Sequence, residues 1–353
     1  MKALVKTEPG YNKMVLKEIP TPVPVADEVL IKVIYTGICG TDIHGFKGEY
    51  DRLKMPLVLG HEFSGIVESV GENVTEVKVG DLVTSETTFS TCGECENCQK
   101  KEYNLCLKRQ GLGSQVNGSF AEYVLSREES VHLLNDQITL LEASITEPIA
   151  CGVHASIEKV QVKTGETAVI IGPGPIGLCL SQVLKGLGAT VILLGITQDQ
   201  ERLNTALELG VDDIIDTQKE DPVTKIKSLT EGNGADYCFE CSGAAPAVVH
   251  AFDYLKQKGT LIQMGVFAKN DNLLDLNSIV QREINVIGSR SQKPSTWEIT
   301  LDLMTQKKID ARKLITLILP LDRWEEAFEA AIAGSEIKVV LQPNQEIPLE
   351  GSE

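Results

Sequence analysis

Cys92, Cys95, Cys98 and Cys106 form a C-x2-C-x2-C-x7-C run inside one short polar loop. Thiolates spaced this tightly cannot all pair as disulfides without strain, but they can converge on one tetrahedral zinc ion. Gly93, Glu94, Glu96 and Asn97 between them are turn-forming and polar, which suits a loop wrapped round an ion. A disulfide pair or an incidental cluster is the plain alternative. Four sulfur ligands leave no open position, so the expected role is structural. Chemistry must lie elsewhere.

A second pattern is Gly172-Pro173-Gly174-Pro175-Ile176-Gly177, a G-x-G-x-x-G run. It follows the apolar stretch Ala168 to Ile171 and opens a helix near Ile176, the context a dinucleotide site requires; a glycine turn with no ligand is the plain alternative. The first glycine permits a tight turn, the second lets backbone approach a pyrophosphate, and the third allows close helix–strand packing. The helix N-terminus favours the negative charge. An acid is expected about twenty positions on, at the end of the next strand, to bond the ribose hydroxyls and repel a 2′-phosphate. Here that place falls at Gly195, followed by Ile196 and Thr197. The choice between NAD and NADP is therefore open. Asp199 reads as lying too far into the following turn to substitute. Arg202 is placed to stack on adenine or meet a phosphate, and equally to be a solvated helix residue.

Three further segments carry metal-capable side chains: Gly37 to His44 (GICGTDIH), Gly60-His61-Glu62, and Glu147-Pro148. Each adjoins Gly or Pro at an element end, where side chains can converge free of a regular period. A mixed Cys, His and carboxylate set is typical of catalytic zinc, which keeps one position open. A buried Cys39 and a capping His61 are the alternative.

The elements that must position these groups fall into two styles. Glu28 to Tyr35, Phe63 to Val70 and Phe120 to Leu125 alternate apolar and polar residues, as half-buried strands do. From about Ile138 strand and helix periods alternate. Strands are predicted at Ala168 to Ile171, Thr190 to Leu194, Asp213 to Ile215, Ala235 to Glu240 and Thr260 to Met264. Helices are predicted at Ile176 to Leu187, Gln200 to Leu209, Val223 to Leu229 and Ala247 to Lys256. Such alternation builds a doubly wound parallel sheet. After Gly288 two more helices, Thr296 to Thr305 and Arg323 to Ala333, precede a last strand at Lys338 to Leu341.

A chain of 353 residues is long for one core, so two domains are expected. A net charge of −17 argues against non-specific nucleic-acid binding. No apolar run approaches the roughly 18 residues of a membrane span, and the first twenty or so residues do not read as a signal peptide. Nine cysteines, an odd number, fit a reducing cytoplasm.

Taken in order, GICGTDIH, GHEFSGIVESVG, the four-cysteine lobe, EPIACGVHA and GPGPIG resemble the zinc-dependent medium-chain dehydrogenases over nearly the whole chain. The nearest branch is that of polyol and threonine dehydrogenases. The resemblance implies an α/β protein. A GroES-like β-rich catalytic domain (1–150) would be followed by a Rossmann domain (151–287), with a return to the first domain (288–353). It implies catalytic zinc on Cys39 and His61, with Glu62 a direct ligand or one that swings in, and Glu147 on the metal or its water. Thr41 and His44 would relay the substrate proton. Gly172, Gly174, Pro175, Ile176, Gly177, Thr197 and Arg202 would line the dinucleotide site. Met264, Gly265 and Val266 would meet the nicotinamide amide through backbone groups, with Ser289 and Arg290 near the ribose or substrate. The implied activity is hydride transfer between a secondary alcohol of a polyol or sugar derivative and NAD(P), NAD favoured, in a homotetramer or a dimer. An L-threonine 3-dehydrogenase is the enzymatic alternative, and a zinc-stabilised nucleotide sensor the non-enzymatic one. Departures from the family pattern at Gly45-Phe46, Ser289 to Trp297 and Thr316-Leu317-Ile318 imply a reshaped substrate pocket.

Overall fold

The computed structural model describes residues 1–345 except 268, 270, 271 and 273. They form two compact units. The first comprises Met1–Glu147, Lys293–Thr305 and the chain from Ala311 onward. The second comprises Pro148–Gln292 and Gln306–Asp310.

The first unit is built on a seven-stranded sheet. Its central strand, Glu28–Gly37, is rich in Val and Ile and is almost wholly buried, as a strand covered on both faces must be. Glu62–Val70 and Tyr123–Arg127 pair with it antiparallel, and so does the late strand Lys338–Gln342. One side packs Val29, Ile31, Val33, Phe63 and Val67 into a core. A second core gathers Leu4, Phe46, Phe120, Phe328 and Leu341. Register decides what meets at the end of the central strand: Gly37 stands opposite both Glu62 and Val340. The helix Gly40–Lys47 starts there, with Cys39 as its N-cap, and Gly48 closes it in the left-handed conformation at φ 77°.

Six parallel strands make the sheet of the second unit. Across it run Asp213–Asp216, Thr190–Gly195, Thr167–Ile171, Ala235–Glu240, Leu255–Gln263 and Asn285–Gly288. Counted in chain order this is 3-2-1-4-5-6, the doubly wound arrangement with its crevice between the first and fourth strands. Ala168, Val169 and Ile170 are fully buried, which explains their unbroken apolar run. The helices Pro175–Gly186, Gln200–Glu208 and Pro222–Leu229 connect the early strands.

The predicted helix at 247–256 is corrected. A single turn, Ala245–Val248, and a 3-10 turn, Ala251–Tyr254, lead straight into the strand that begins at Leu255. Ala251, Phe252, Tyr254 and Leu255 all enter one core, and Leu255 is already paired with Ala235 in the sheet, so no helix can run on to 256. Among the described residues no helix is long and apolar enough to cross a membrane.

Candidate active site

Cys39, His61 and Glu62 meet in the first unit, each offering one ligand atom and all of these within 4.8 Å of one another. Cys39 comes from the turn after the central strand, and the other two from the start of its neighbour. Glu147, 7% exposed, lies outside that tight set, yet its charge acts on His61. Burial alone disfavours the His61 imidazolium, but Asp42, Cys39 and Glu147 together hold its pKa well above the ordinary range. A ring so surrounded by negative charge is poised to accept a cation. Thr41 is half-buried in the first turn of the helix. His44 is exposed on that helix, with Nδ1 2.8 Å from Glu49 Oε2.

Two residues that the sequence reading passed over shape this cluster. Asp42 is 2% exposed, and its carboxylate accepts from the backbone N–H of Cys39 at 3.0 Å and of Gly60 at 3.1 Å. Its Oδ1 also faces His61 Nδ1 at 3.6 Å. One carboxylate thus ties together the two loops that carry Cys39 and His61. Lys338 is 3% exposed; its ammonium pairs with Glu62 Oε2 and donates to the Ile38 carbonyl at 3.0 Å. The capping spacing of Asp42, three residues after Cys39, was a local signal. Lys338 left none.

In the loop of four cysteines the thiols are all unbridged. Sulfur separations are 3.7 Å for Cys92–Cys98, 3.4 Å for Cys95–Cys98 and 3.7 Å for Cys92–Cys106. A tetrahedron of zinc–sulfur bonds of ≈ 2.3 Å has edges of about 3.8 Å, whereas a disulfide needs about 2.05 Å. The spacing therefore fits a closed zinc site. Backbone N–H groups of Glu94 and Cys95 draw the Cys92 thiol down to about 6, while Cys95, against the pull of the Cys98 N–H, is pushed up to about 11 by the crowding of the other thiols.

The glycine turn of the second unit divides its labour as the dinucleotide fingerprint demands. Gly172 sits at φ 100°, which a side chain resists. A Cβ at Gly174 would meet nothing within 4 Å, so open space faces the turn, whereas one at Gly177 would lie 2.0 Å from the Gly172 carbonyl oxygen. Gly174 caps the helix and Pro175 takes its first turn. Beside the turn a cleft of ≈ 540 Å³ opens, lined by Ile171, Gly172, Gly195, Asp199, Ser242 and Tyr254 among others.

The remaining candidates are placed as follows. Thr197 is already engaged, donating its hydroxyl to Asp216 at 2.8 Å. Arg202 is half-buried on the helix Gln200–Glu208. Met264 and Gly265 donate their N–H groups to the Glu240 carbonyl at 3.0 and 2.9 Å, while Val266 is 90% exposed. Ser289 donates its N–H to Gln263 O at 2.9 Å, and Arg290 is exposed.

Residues 25–136 match the alcohol dehydrogenase GroES-like domain and residues 175–306 the zinc-binding dehydrogenase domain. The chain belongs to the zinc-type medium-chain dehydrogenases. This dehydrogenase is 50% identical to the D-arabitol-phosphate dehydrogenase of Enterococcus avium, over 98% of each chain. It is 48% identical to a sorbitol dehydrogenase of Halalkalibacterium halodurans, over 97% of this chain and 99% of the other. A zinc-binding dehydrogenase of Sinorhizobium meliloti, solved with NADP bound, superposes at a TM-score of 0.89 with 30% identity. That likeness covers 97% of the dehydrogenase and 99% of the other chain. The dehydrogenase is thus an oxidoreductase with a GroES-like unit and a Rossmann-type parallel sheet.

Proposed function

We propose that this dehydrogenase oxidises a secondary alcohol of a polyol or sugar derivative to a ketone, passing the hydride to a nicotinamide dinucleotide. The observation that carries the reading is the convergence of Cys39, His61 and Glu62 within 4.8 Å. Those three, with Glu147 close by, suit zinc with an exchangeable position. Zinc held there supplies Lewis acidity, which makes a substrate hydroxyl easier to deprotonate. The dinucleotide supplies the hydride acceptor.

The protein's own groups do the rest. Asp42 fixes the His61 ring, as carboxylate partners of metal-binding histidines do. Thr41 passes the hydroxyl proton towards His44, whose exposed ring and Glu49 partner exchange it with solvent. The lobe of Cys92, Cys95, Cys98 and Cys106 holds a second, structural zinc. NAD is the preferred carrier in this reading, because among the described residues no Lys or Arg lines the cleft. The names of the two relatives near 50% identity support a polyol or its phosphate ester as substrate. Nine unbridged cysteines agree with a cytoplasmic enzyme, and a homotetramer is the assembly in this reading.

Initial rates across sugar alcohols, their phosphates, L-threonine and simple secondary alcohols, with each nicotinamide cofactor, test the proposal. Fast turnover of threonine and none of the polyols would overturn the substrate class. Nucleotide binding with no turnover on any alcohol would favour a sensor. Metal analysis should return two zinc ions per chain, and sedimentation velocity reports the assembly.

A further inference from the structure

The strand Thr190–Gly195 ends where an acid should stand, and the residue there has no side chain. The chain then makes a 3-10 turn, Thr197–Asp199, which brings Asp199 back to the strand end. Asp199 Oδ2 accepts from the Ile196 N–H at 3.1 Å, and its own N–H donates to the Ile196 carbonyl at 2.8 Å. A Cβ built at Gly195 would lie 3.2 Å from Asp199 Cβ, 3.3 Å from Asp199 Oδ2 and 3.0 Å from Pro173 Cγ. The missing side chain therefore leaves room that the Asp199 carboxylate occupies, beside the glycine turn. We propose that Asp199 is the ribose-recognising acid of this dehydrogenase, supplied from the following turn instead of the strand end, and that it sets preference for NAD over NADP.

The surroundings isolate that carboxylate as the recognising group. Among the described residues, the charged or ionisable ones lining the cleft are Asp199, Asp221, His250 and Tyr254, and Tyr254 is buried in the core of the unit. Asp221 is spent as the N-cap of the helix Pro222–Leu229, accepting from Thr224 N at 3.0 Å. His250 Nδ1 stands 3.3 Å from Asp253. Thr217 donates both its N–H and its hydroxyl to the Gly195 carbonyl, at 3.0 and 3.1 Å, and so takes up that acceptor. Asp199 Oδ2 receives one backbone donor, and the carboxylate retains acceptor capacity for a vicinal diol. A 2′-phosphate, with no hydroxyl to donate and added negative charge, would meet the same carboxylate unfavourably.

The inference rests on the NAD reading above, and direct binding separates the two. NADH and NADPH affinities are measured by nucleotide fluorescence on the zinc-loaded enzyme and on Asp199→Asn, which keeps an acceptor for the Ile196 N–H but removes the charge. The native enzyme is expected to bind NADH tighter by about tenfold or more, as a charged hydrogen bond implies. In Asp199→Asn the ratio falls to within about threefold of unity, mainly through tighter NADPH. The double variant Gly195→Asp/Asp199→Gly, which moves the acid to the strand end, restores the preference. NADPH bound tighter by the native enzyme would overturn the NAD reading itself. Preference for NADH unchanged in Asp199→Asn would overturn only the role given to Asp199.

Discussion

Replacing Lys338 with Met strands the Glu62 carboxylate beside the metal-binding cluster. The side chains of the pair are 4% and 1% exposed, so water cannot take over the role of the ammonium. Breaking a buried ion pair from one side costs about 3–5 kcal/mol, a large share of the roughly 5–15 kcal/mol that holds a folded protein together. Loss of the donor to the Ile38 carbonyl adds about 1 kcal/mol. Glu62→Gln alone is costly too, because it strands the ammonium. The double variant removes both charges, and is expected to recover on the order of 2–4 kcal/mol relative to the sum of the single changes. Denaturant unfolding followed by tryptophan emission measures this cleanly: Trp297 and Trp324 both lie in the first unit. A coupling below about 0.5 kcal/mol would refute the idea that Lys338 compensates Glu62.

Three further outcomes are expected. Asp42→Asn keeps the fold but weakens zinc retention at Cys39 and His61 by about 10–100-fold, read by chelator competition; unchanged retention would deny Asp42 its orienting role. Gly177→Ala drives a methyl into the Gly172 carbonyl, so NADH affinity is expected to fall by about tenfold or more in a fluorescence titration. Burial pushes the Glu86 carboxyl up, against the opposing pull of its hydrogen bond with His132. The folded state then binds more protons than the unfolded one, and stability declines as pH rises through the window just above the ordinary glutamate value of 4.5. Glu86→Gln should flatten that limb of the stability–pH curve, and an unaltered slope would assign it to other groups.

The fold was legible where its determinants are local. An unbroken apolar strand followed by a glycine turn and a helix can hardly be anything but the start of a doubly wound sheet, and Ala168 to Gly186 reads so at sight. The cysteine lobe announces itself through spacing alone. What the sequence withheld depends on the path of the backbone between distant positions. Asp199 looked too remote from the strand end because linear distance ignores the tight turn that returns it. Lys338 was unreadable because nothing near it hints that Val340 will lie against Gly37. The helix expected over 247–256 failed for a related reason: the pairing of Leu255 with Ala235 draws the chain into the sheet and overrides helical propensity.

Because Lys338–Gln342 is an inner member of its sheet, flanked by Glu28–Gly37 and Ile315–Pro320, the first unit is stitched from segments 300 residues apart. During synthesis the ribosome releases Cys39, His61 and Glu62 long before the lysine that neutralises Glu62. Until then the nascent ligand set carries a surplus negative charge and lacks an interior strand. The parallel sheet of the second unit, whose strands all fall between Thr167 and Gly288, has no such dependence and is free to form first. Completion of the metal-binding end thereby waits for a strand that is synthesised after the whole parallel sheet.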